Sequence, residues 1–320
     1  MSAPATRVPD FFIVGHAKSG TTALYEMLRR HPQIFLPESK EPWFFATDMR
    51  PRFEPMLGGM PPATLEEYLS LFADAGPDRS AGEASSSYLW SRTASARIAE
   101  VQPAARIIAI LREPASFLRS LHLQLLQTHV ESERDLGRAI ALEAARRRGK
   151  HVPRRSHRPQ LLQYADQVHY VEQLRRYSSV FPREQILVLI YEDFRRDNVA
   201  TLRTVLRFLG VDDSHPIEPL QANPTIGMRS QQLDDIVHAV SVGRSPASRA
   251  AKAALGAITP AAARRRLLRL VQRRLVQTRA PAADEHVMLE LRRRFKHEVV
   301  AAGEYLDRDL VTLWGYDRLD

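Results

Sequence analysis

Asp10-Phe11-Phe12-Ile13-Val14-Gly15-His16-Ala17-Lys18-Ser19-Gly20-Thr21-Thr22-Ala23-Leu24 passes from one kind of backbone to another within a few residues. Phe11 to Val14 is an apolar run without helical periodicity, which predicts a buried strand. Gly15 and Gly20 bracket a turn, and Ala23-Leu24-Tyr25-Glu26-Met27-Leu28-Arg29-Arg30 is strong helix-forming sequence. A strand, a glycine-containing turn and a helix aim free backbone N–H groups at an anion. Thr21 and Thr22 add hydroxyl donors and Lys18 adds a mobile positive charge. The segment is expected to cradle a phosphate.

It is not a Walker loop. In that pattern, G-x-x-x-x-G-K-[ST], the lysine directly follows the second glycine and the Ser or Thr beside it holds Mg²⁺. Here Gly15 and Gly20 keep the spacing, Thr21 stands at the lysine position, and the lysine sits inside the turn as Lys18. A lysine there lies near the first phosphate bound instead of reaching along a triphosphate. The competing plain reading is a strand–helix connection in an α/β domain with an incidental lysine.

Further along, Ala105 to Leu111 and Gln185 to Ile190 are apolar runs that predict central parallel strands, and Arg79 to Ser85 predicts a shorter one. Helices are expected at 64–72, where Thr64 and Glu67 form a capping box, at 93–101, 115–128, 164–181 and 198–209. Pro114 opens one of them at a favoured first-turn position, and Gly210 closes another. Strands alternating with helices predict an α/β, P-loop-like, three-layer fold: a central parallel sheet flanked by helices. Ligands in such sheets bind beyond the carboxyl ends of the strands, which puts the Lys18 loop and Arg112 at one edge. Beyond residue 211 the chain reads as wholly helical, at 230–240, about 260–278 and 284–302, with 241–256 as the expected mobile segment.

Composition bounds the rest. The 320 residues, 44% hydrophobic and 26% charged, suit one large domain with a sizeable core. There is no cysteine, which excludes disulfides and thiolate metal sites and makes a reducing compartment natural. Met1 to Pro9 has no basic segment followed by an apolar core, so no secretory signal is expected. No run approaches the ~20 apolar residues that span a bilayer. The formal charge of +9 suits a polyanionic ligand, and equally nucleic acid or an anionic membrane.

Lys18-Ser19-Gly20-Thr21-Thr22 resembles the 5′-phosphosulfate loop of sulfotransferases that use 3′-phosphoadenosine 5′-phosphosulfate (PAPS). His31-Pro32 and Lys40-Glu41-Pro42-Trp43-Phe44-Phe45 are similar to the heparan-sulfate-type branch and its bacterial relatives. The resemblance spans residues 10 to 230 and implies specific roles. Lys18 with the backbone of Ser19, Gly20, Thr21 and Thr22 would hold the 5′-phosphate. Arg112, at a strand end, and Ser120, eight residues later on the next helix, would grip the 3′-phosphate; arginine offers forked donors suited to phosphate. Arg229, in the segment 223–230, would close over the same group.

The resemblance also makes Glu41 the general base. An acceptor hydroxyl is a poor nucleophile and must lose its proton as the new bond forms. Trp43, Phe44 and Phe45 are expected to desolvate Glu41 and raise its basicity. His122 is the alternative base, weighed against a plain helix-surface histidine. Glu83-Ala84-Ser85-Ser86-Ser87-Tyr88 resembles the family segment Glu-Lys-(Ser/Thr)-Pro-x-Tyr, with Ala84 in place of the lysine and Ser86 in place of the proline. That departure weakens a glycosaminoglycan assignment. Ser85 and Tyr88 are expected on the acceptor side, and residues 128–165 with the C-terminal part are expected to frame the acceptor pocket. Tyr191-Glu192-Asp193-Phe194 resembles a structural Tyr-Glu-Asp-Leu segment.

The implied reaction is sulfuryl transfer from PAPS to a hydroxyl or amine of a carbohydrate, lipid or secondary-metabolite acceptor, with PAP as product and no metal. The acceptor partner is a small molecule or glycan, not nucleic acid. The expected organisation is a single sulfotransferase domain over 1–320, with a PAPS-binding core at 10–230 and a helical extension at 231–320, in a cytoplasmic protein of bacterial type. Two competitors remain in view. One is a P-loop kinase of a small metabolite, against which Thr21 argues. The other is a nucleic-acid or membrane binder using the basic segment 244–279, which lacks interleaved aromatic residues.

Overall fold

The computed structural model describes residues 7–51, 60–218, 220, 226–228, 277–279 and 282–319. Its centre is a five-stranded parallel sheet of β1 (Phe11–Gly15), β2 (Ile34–Phe35), β3 (Ser80–Ala84), β4 (Arg106–Leu111) and β5 (Ile186–Ile190). The strand order is β2-β3-β1-β4-β5, so β1 lies at the middle with β4 beside it. Between the strands run α1 (Thr21–Arg29), α2 (Leu65–Ser70), α3 (Ala94–Val101), α4 (Pro114–Gln127), α5 (Leu136–Ala141), α6 (Glu143–Arg147) and α7 (Tyr170–Ser178). After β5 come α8 (Tyr191–Arg196) and α9 (Asn198–Leu209).

Alternation of side chains across the pleat divides β1 and β4 between two cores. Phe12, Val14, Ile107, Ala109 and Leu111 face one layer, with Phe117 and Leu121 of α4 and Leu174 of α7. Phe11, Ile13, Ile108 and Ile110 face the other, with Leu24 and Leu28 of α1 and Leu202 and Leu206 of α9. All nine strand residues are fully buried. Burial on both faces is why these strands read as unbroken apolar runs. The expected α/β architecture of a parallel sheet between helical layers is the one observed.

β4 runs into α4 through Arg112 and Glu113. Pro114 takes the first helical position, and the Glu113 carboxylate caps the helix, accepting from the N–H groups of Ala115 at 3.0 Å and Ser116 at 2.7 Å. The predicted helix over 164–181 is broken. A 3₁₀ turn covers Ala165–Val168, His169 leaves helical geometry at ψ 65, and α7 starts at Tyr170. The Gln173 amide donates to the Asp166 carbonyl at 3.1 Å, occupying the oxygen that a continuous helix would present to residue 170.

The chain beyond residue 211 is not wholly helical. β6 (Ile226–Met228) and β7 (Gln277–Arg279) pair antiparallel, so the helix expected over 260–278 does not include 277 and 278. Three-residue strands are too short to show a period of two, and their pairing is non-local. The helix expected at 230–240, the rest of 260–276 and the segment 241–256 lie outside the described residues. Near the C-terminus the expected helix is present as α10 (Glu285–Leu306), followed by α11 (Leu310–Leu313). Met288, Leu291, Phe295, Val299 and Ala302 form the buried stripe of α10 and join the α4 and α7 core.

Candidate active site

The loop after β1 is shaped by its two glycines. A Cβ on Gly15 would lie 2.5 Å from the Cβ of Leu89, so only glycine lets the strand pass that side chain. Gly20 sits at φ 86, in left-handed backbone, and caps α1 with no side-chain bond. The N–H groups of a helix's first turn have no intrahelical partner, and they carry the positive end of its dipole. Gly20, Thr21, Thr22 and Ala23 line a cavity of about 180 Å³, together with Lys18. Ser19 is a correction to the sequence reading. Its N–H donates back to the His16 carbonyl at 3.2 Å, its side chain is buried, and it does not line the cavity.

Because β4 neighbours β1, Arg112 emerges beside the Lys18 loop. Its Nη1 donates to the Lys18 carbonyl oxygen at 2.6 Å, and its guanidinium lies 4.6 Å from the Tyr191 ring centroid. Arg112 Nε and Ser120 Oγ are buried with no hydrogen-bond partner, and both residues line the same cavity. Burial lowers the Lys18 ammonium from its ordinary value, and the Arg112 charge lowers it further. This chamber is therefore lined by three cations, Lys18, Arg112 and the Glu41-paired Lys40, with unpaired donors and a helix N-terminus, which together suit a polyanion. Arg229 lies outside the described residues.

Glu41 reaches the chamber from a strained loop, with φ 65 at Glu41 and φ 51 at Trp43. The loop is fastened to the end of β3 from behind. Glu41 N–H donates to the Ala84 carbonyl at 3.0 Å, Trp43 N–H to Ser85 Oγ at 3.1 Å, and Phe45 N–H to the Tyr88 hydroxyl at 3.2 Å. Ser85 and Tyr88 are thus buried supports of this loop, and neither lines the chambers on its two sides.

Four donors meet the Glu41 carboxylate: Lys40 Nζ at 2.5 Å, Trp43 Nε1 at 2.9 Å, Ser86 N–H at 2.9 Å and Ser86 Oγ at 2.8 Å. Burial pushes the carboxyl up, but the Lys40 charge and the bonds from Lys40 and Ser86 outweigh it and hold the group below its ordinary value. The expected rise in basicity is therefore reversed. The aromatic neighbours do desolvate Glu41, yet one of them, Trp43, also donates to it.

A second chamber of about 130 Å³ opens on the other side of Glu41, which lines both. Trp43, Trp90, Leu121, Leu161 and Arg158 form much of its wall. Among the described residues, the expected frame at 128–165 contributes Arg158 and Leu161, and α10 contributes none. His122 is placed elsewhere. Its Nδ1 is 3.0 Å from the Tyr164 hydroxyl and its Nε2 3.1 Å from the Arg134 carbonyl, and it lines neither chamber.

Residues to which the sequence assigned no site role are Ser86, Tyr191, Gln124 and Arg158, all at the chamber walls. Ser86 carried a signal. It stands where the resembled segment has proline, which has no N–H, and both its N–H and its hydroxyl donate to Glu41.

Comparison with known proteins decides the family. The model described as the sulfotransferase family matches residues 9–215, a span that contains Lys18, Glu41, Arg112 and Ser120. The chain belongs to the sulfotransferase family. A crystal structure of a sulfotransferase from Alicyclobacillus acidocaldarius is 30% identical, with a TM-score of 0.59, and the match covers 74% of this chain and 94% of that one. Carbohydrate sulfotransferase 15 from Homo sapiens is 27% identical over 252 residues, and the Mus musculus protein of that name 26%. Both matches cover 64% of this sulfotransferase-family chain and 44% of the relative, so the chain spans less than half the length of these two curated relatives. Membership sets aside the kinase reading, to which Thr21 was already opposed. Among the described residues, no helix is long and apolar enough to cross a membrane.

Proposed function

We propose that this chain transfers a sulfuryl group from PAPS to a hydroxyl or amine of a small-molecule or glycan acceptor. The observation that carries the reading is the position of Glu41, whose residue lines both the cationic chamber and the chamber walled by Trp43 and Trp90. A donor in the first and an acceptor in the second would meet at that carboxylate.

The donors that line the first chamber suit the phosphate groups of such a nucleotide. The buried, unpartnered Arg112 Nε and Ser120 Oγ are donors that a 3′-phosphate would satisfy. The first turn of α1, from Gly20 to Ala23, and Lys18 would receive the 5′-phosphosulfate. Arg112 on Tyr191 is poised by stacking to present its edge.

In the transfer, the acceptor oxygen or nitrogen bonds to sulfur as the bond from sulfur to the 5′-phosphate oxygen breaks. The acceptor's proton passes to Glu41. The leaving oxygen keeps the bonding electron pair, and Lys18 balances the charge that builds there. Because Lys40 and Ser86 hold Glu41 ionised, the carboxylate is ready to accept the proton across the neutral range. We assign residues 1–320 to one catalytic domain, and the absence of cysteine supports a cytoplasmic setting.

The test is incubation of the purified chain with radiolabelled PAPS and a panel of hydroxylated and amino acceptors, with PAP release followed in parallel. Acceptor-dependent label transfer with equal PAP release is the expected result. Neither PAP release nor detectable binding of PAP would end the proposal.

A further inference from the structure

The chamber beyond Glu41 contains a feature that sulfuryl transfer by itself does not use. Arg158 is only 3% exposed, and its guanidinium lies flat on Trp43, 3.4 Å from the ring centroid. Nε and Nη2 have no hydrogen-bond partner. These two nitrogens form one edge of the guanidinium, the edge that meets both oxygens of a carboxylate side-on. Stacking occupies the face of the group, and that edge is buried without a partner.

Nothing in the wall takes this role. Glu41 is near enough to act on Arg158 electrostatically, but it accepts from Lys40, Trp43 and Ser86 and not from Arg158 Nε or Nη2. His16, also in the wall, is bonded to Gln173 at 2.7 Å, and burial lowers its pKa to about 4, so it is neutral at pH 7. Arg158 is the one charged donor among the described lining residues of this chamber. A buried guanidinium edge left unpaired is costly. Trp90, Leu121, Leu125 and Leu161 give the chamber an apolar part, beside the uncharged polar residues Ser86, Ser87, Gln124 and Gln167. At about 130 Å³ the space is close to the roughly 150 Å³ cavity that takes up one benzene.

We infer that the acceptor presents a single six-membered ring carrying a carboxylate, that Arg158 holds this carboxylate side-on over Trp43, and that the ring's hydroxyl is thereby turned toward Glu41. The inference rests on the sulfotransferase reading for the hydroxyl's fate, but the carboxylate site stands on its own geometry. The ring could be that of a phenolic acid or of a uronic acid, and the experiment separates them.

The test titrates the full-length chain with 4-hydroxybenzoate, methyl 4-hydroxybenzoate and glucuronate, following quenching of Trp43 and Trp90 fluorescence, for wild type and Arg158→Gln. An acid is expected to bind roughly 10- to 100-fold more tightly than the neutral ester, the range of charge-assisted hydrogen bonds, and Arg158→Gln is expected to erase that preference. Binding of the benzoate assigns an aromatic ring, and binding of glucuronate a sugar ring. Equal binding of acid and ester, no binding of either acid, or an acid preference retained in Arg158→Gln overturns the inference. The wild-type comparison decides even if the variant does not fold. A parallel calorimetric titration with PAP keeps the two questions apart, since failure there removes the donor assignment and leaves the carboxylate result intact.

Discussion

Arg112 Nη1 donates to the carbonyl oxygen of Lys18 at 2.6 Å, tying the end of β4 to the turn after β1. On the proposed reading, the bond would hold the two phosphate-binding places at a set separation. Arg112 Nε is left without a partner. Arg112→Ala is therefore expected to weaken PAP by roughly 10- to 100-fold while changing adenosine 5′-monophosphate, which lacks the 3′-phosphate, by about threefold or less. Calorimetric titration of both nucleotides measures this. Equal losses for the two would mean that Arg112 serves the loop and not the 3′-phosphate.

Lys18 is expected to act on the leaving group more than on the bound donor. Its charge is useful mainly when the bond from sulfur to the phosphate oxygen breaks, so Lys18→Ala should cost kcat on the order of 10²- to 10³-fold and affect PAP affinity much less. Single-turnover rates with radiolabelled PAPS give the first quantity and calorimetry the second. A mutant that turns over within tenfold of wild type would remove Lys18 from the chemistry.

The cradle was legible because its determinants are local. The apolar run Phe11 to Val14, the two glycines and the α1 sequence are contiguous, and each favours the same backbone. Glu41 was legible by its motif but not by its state. Ser86, 45 residues away, supplies two of its donors, and neither spacing nor composition brings the two together. Ser85 and Tyr88 were read as facing the acceptor because residues 83–88 resemble a family segment, yet the turn after β3 sends them behind the Glu41 loop. Arg158 belonged to a loop of mixed basic residues whose members look alike in sequence. Only its stacking on Trp43 distinguishes it.

Lys40 is expected to set the acid limit of activity. With Glu41 held below its ordinary carboxyl value, the ionised base persists as the pH falls, and kcat/KM should decline only below the usual glutamate range. Lys40→Met removes the opposing charge and its hydrogen bond, leaving burial, which acts upward, against the bonds from Ser86 alone, so the acid limb should move to higher pH. The same pair contributes to stability above the unfolded glutamate pKa, and that contribution is lost as the pH falls through the depressed folded value. A kcat/KM profile from pH 4 to 8 for both proteins is the measurement. An unmoved acid limb would show that Glu41 is not the group whose ionisation governs transfer.

Glu83 makes the opposite prediction for stability. It is fully buried near the C-terminal end of β3, and its Oε2 accepts from the hydroxyls of Tyr68 at 2.8 Å and Tyr88 at 3.1 Å, while Oε1 has no partner. Burial raises its pKa from 4.5 to about 7, against the hydrogen bonds from Ser85, Tyr68 and Tyr88. Between those two values the folded chain binds the proton more tightly than the unfolded chain, so stability falls as the pH rises through the window and levels off above it. The loss amounts to about 3 kcal/mol at most, since each pKa unit is worth 1.36 kcal/mol. Glu83→Gln keeps an acceptor for the two tyrosines and removes the titration. Its Tm relative to wild type should rise by about 5 °C between pH 5 and pH 8. Other titrating groups cancel in that difference, so a constant offset across the range would show that Glu83 is ionised in the folded protein throughout.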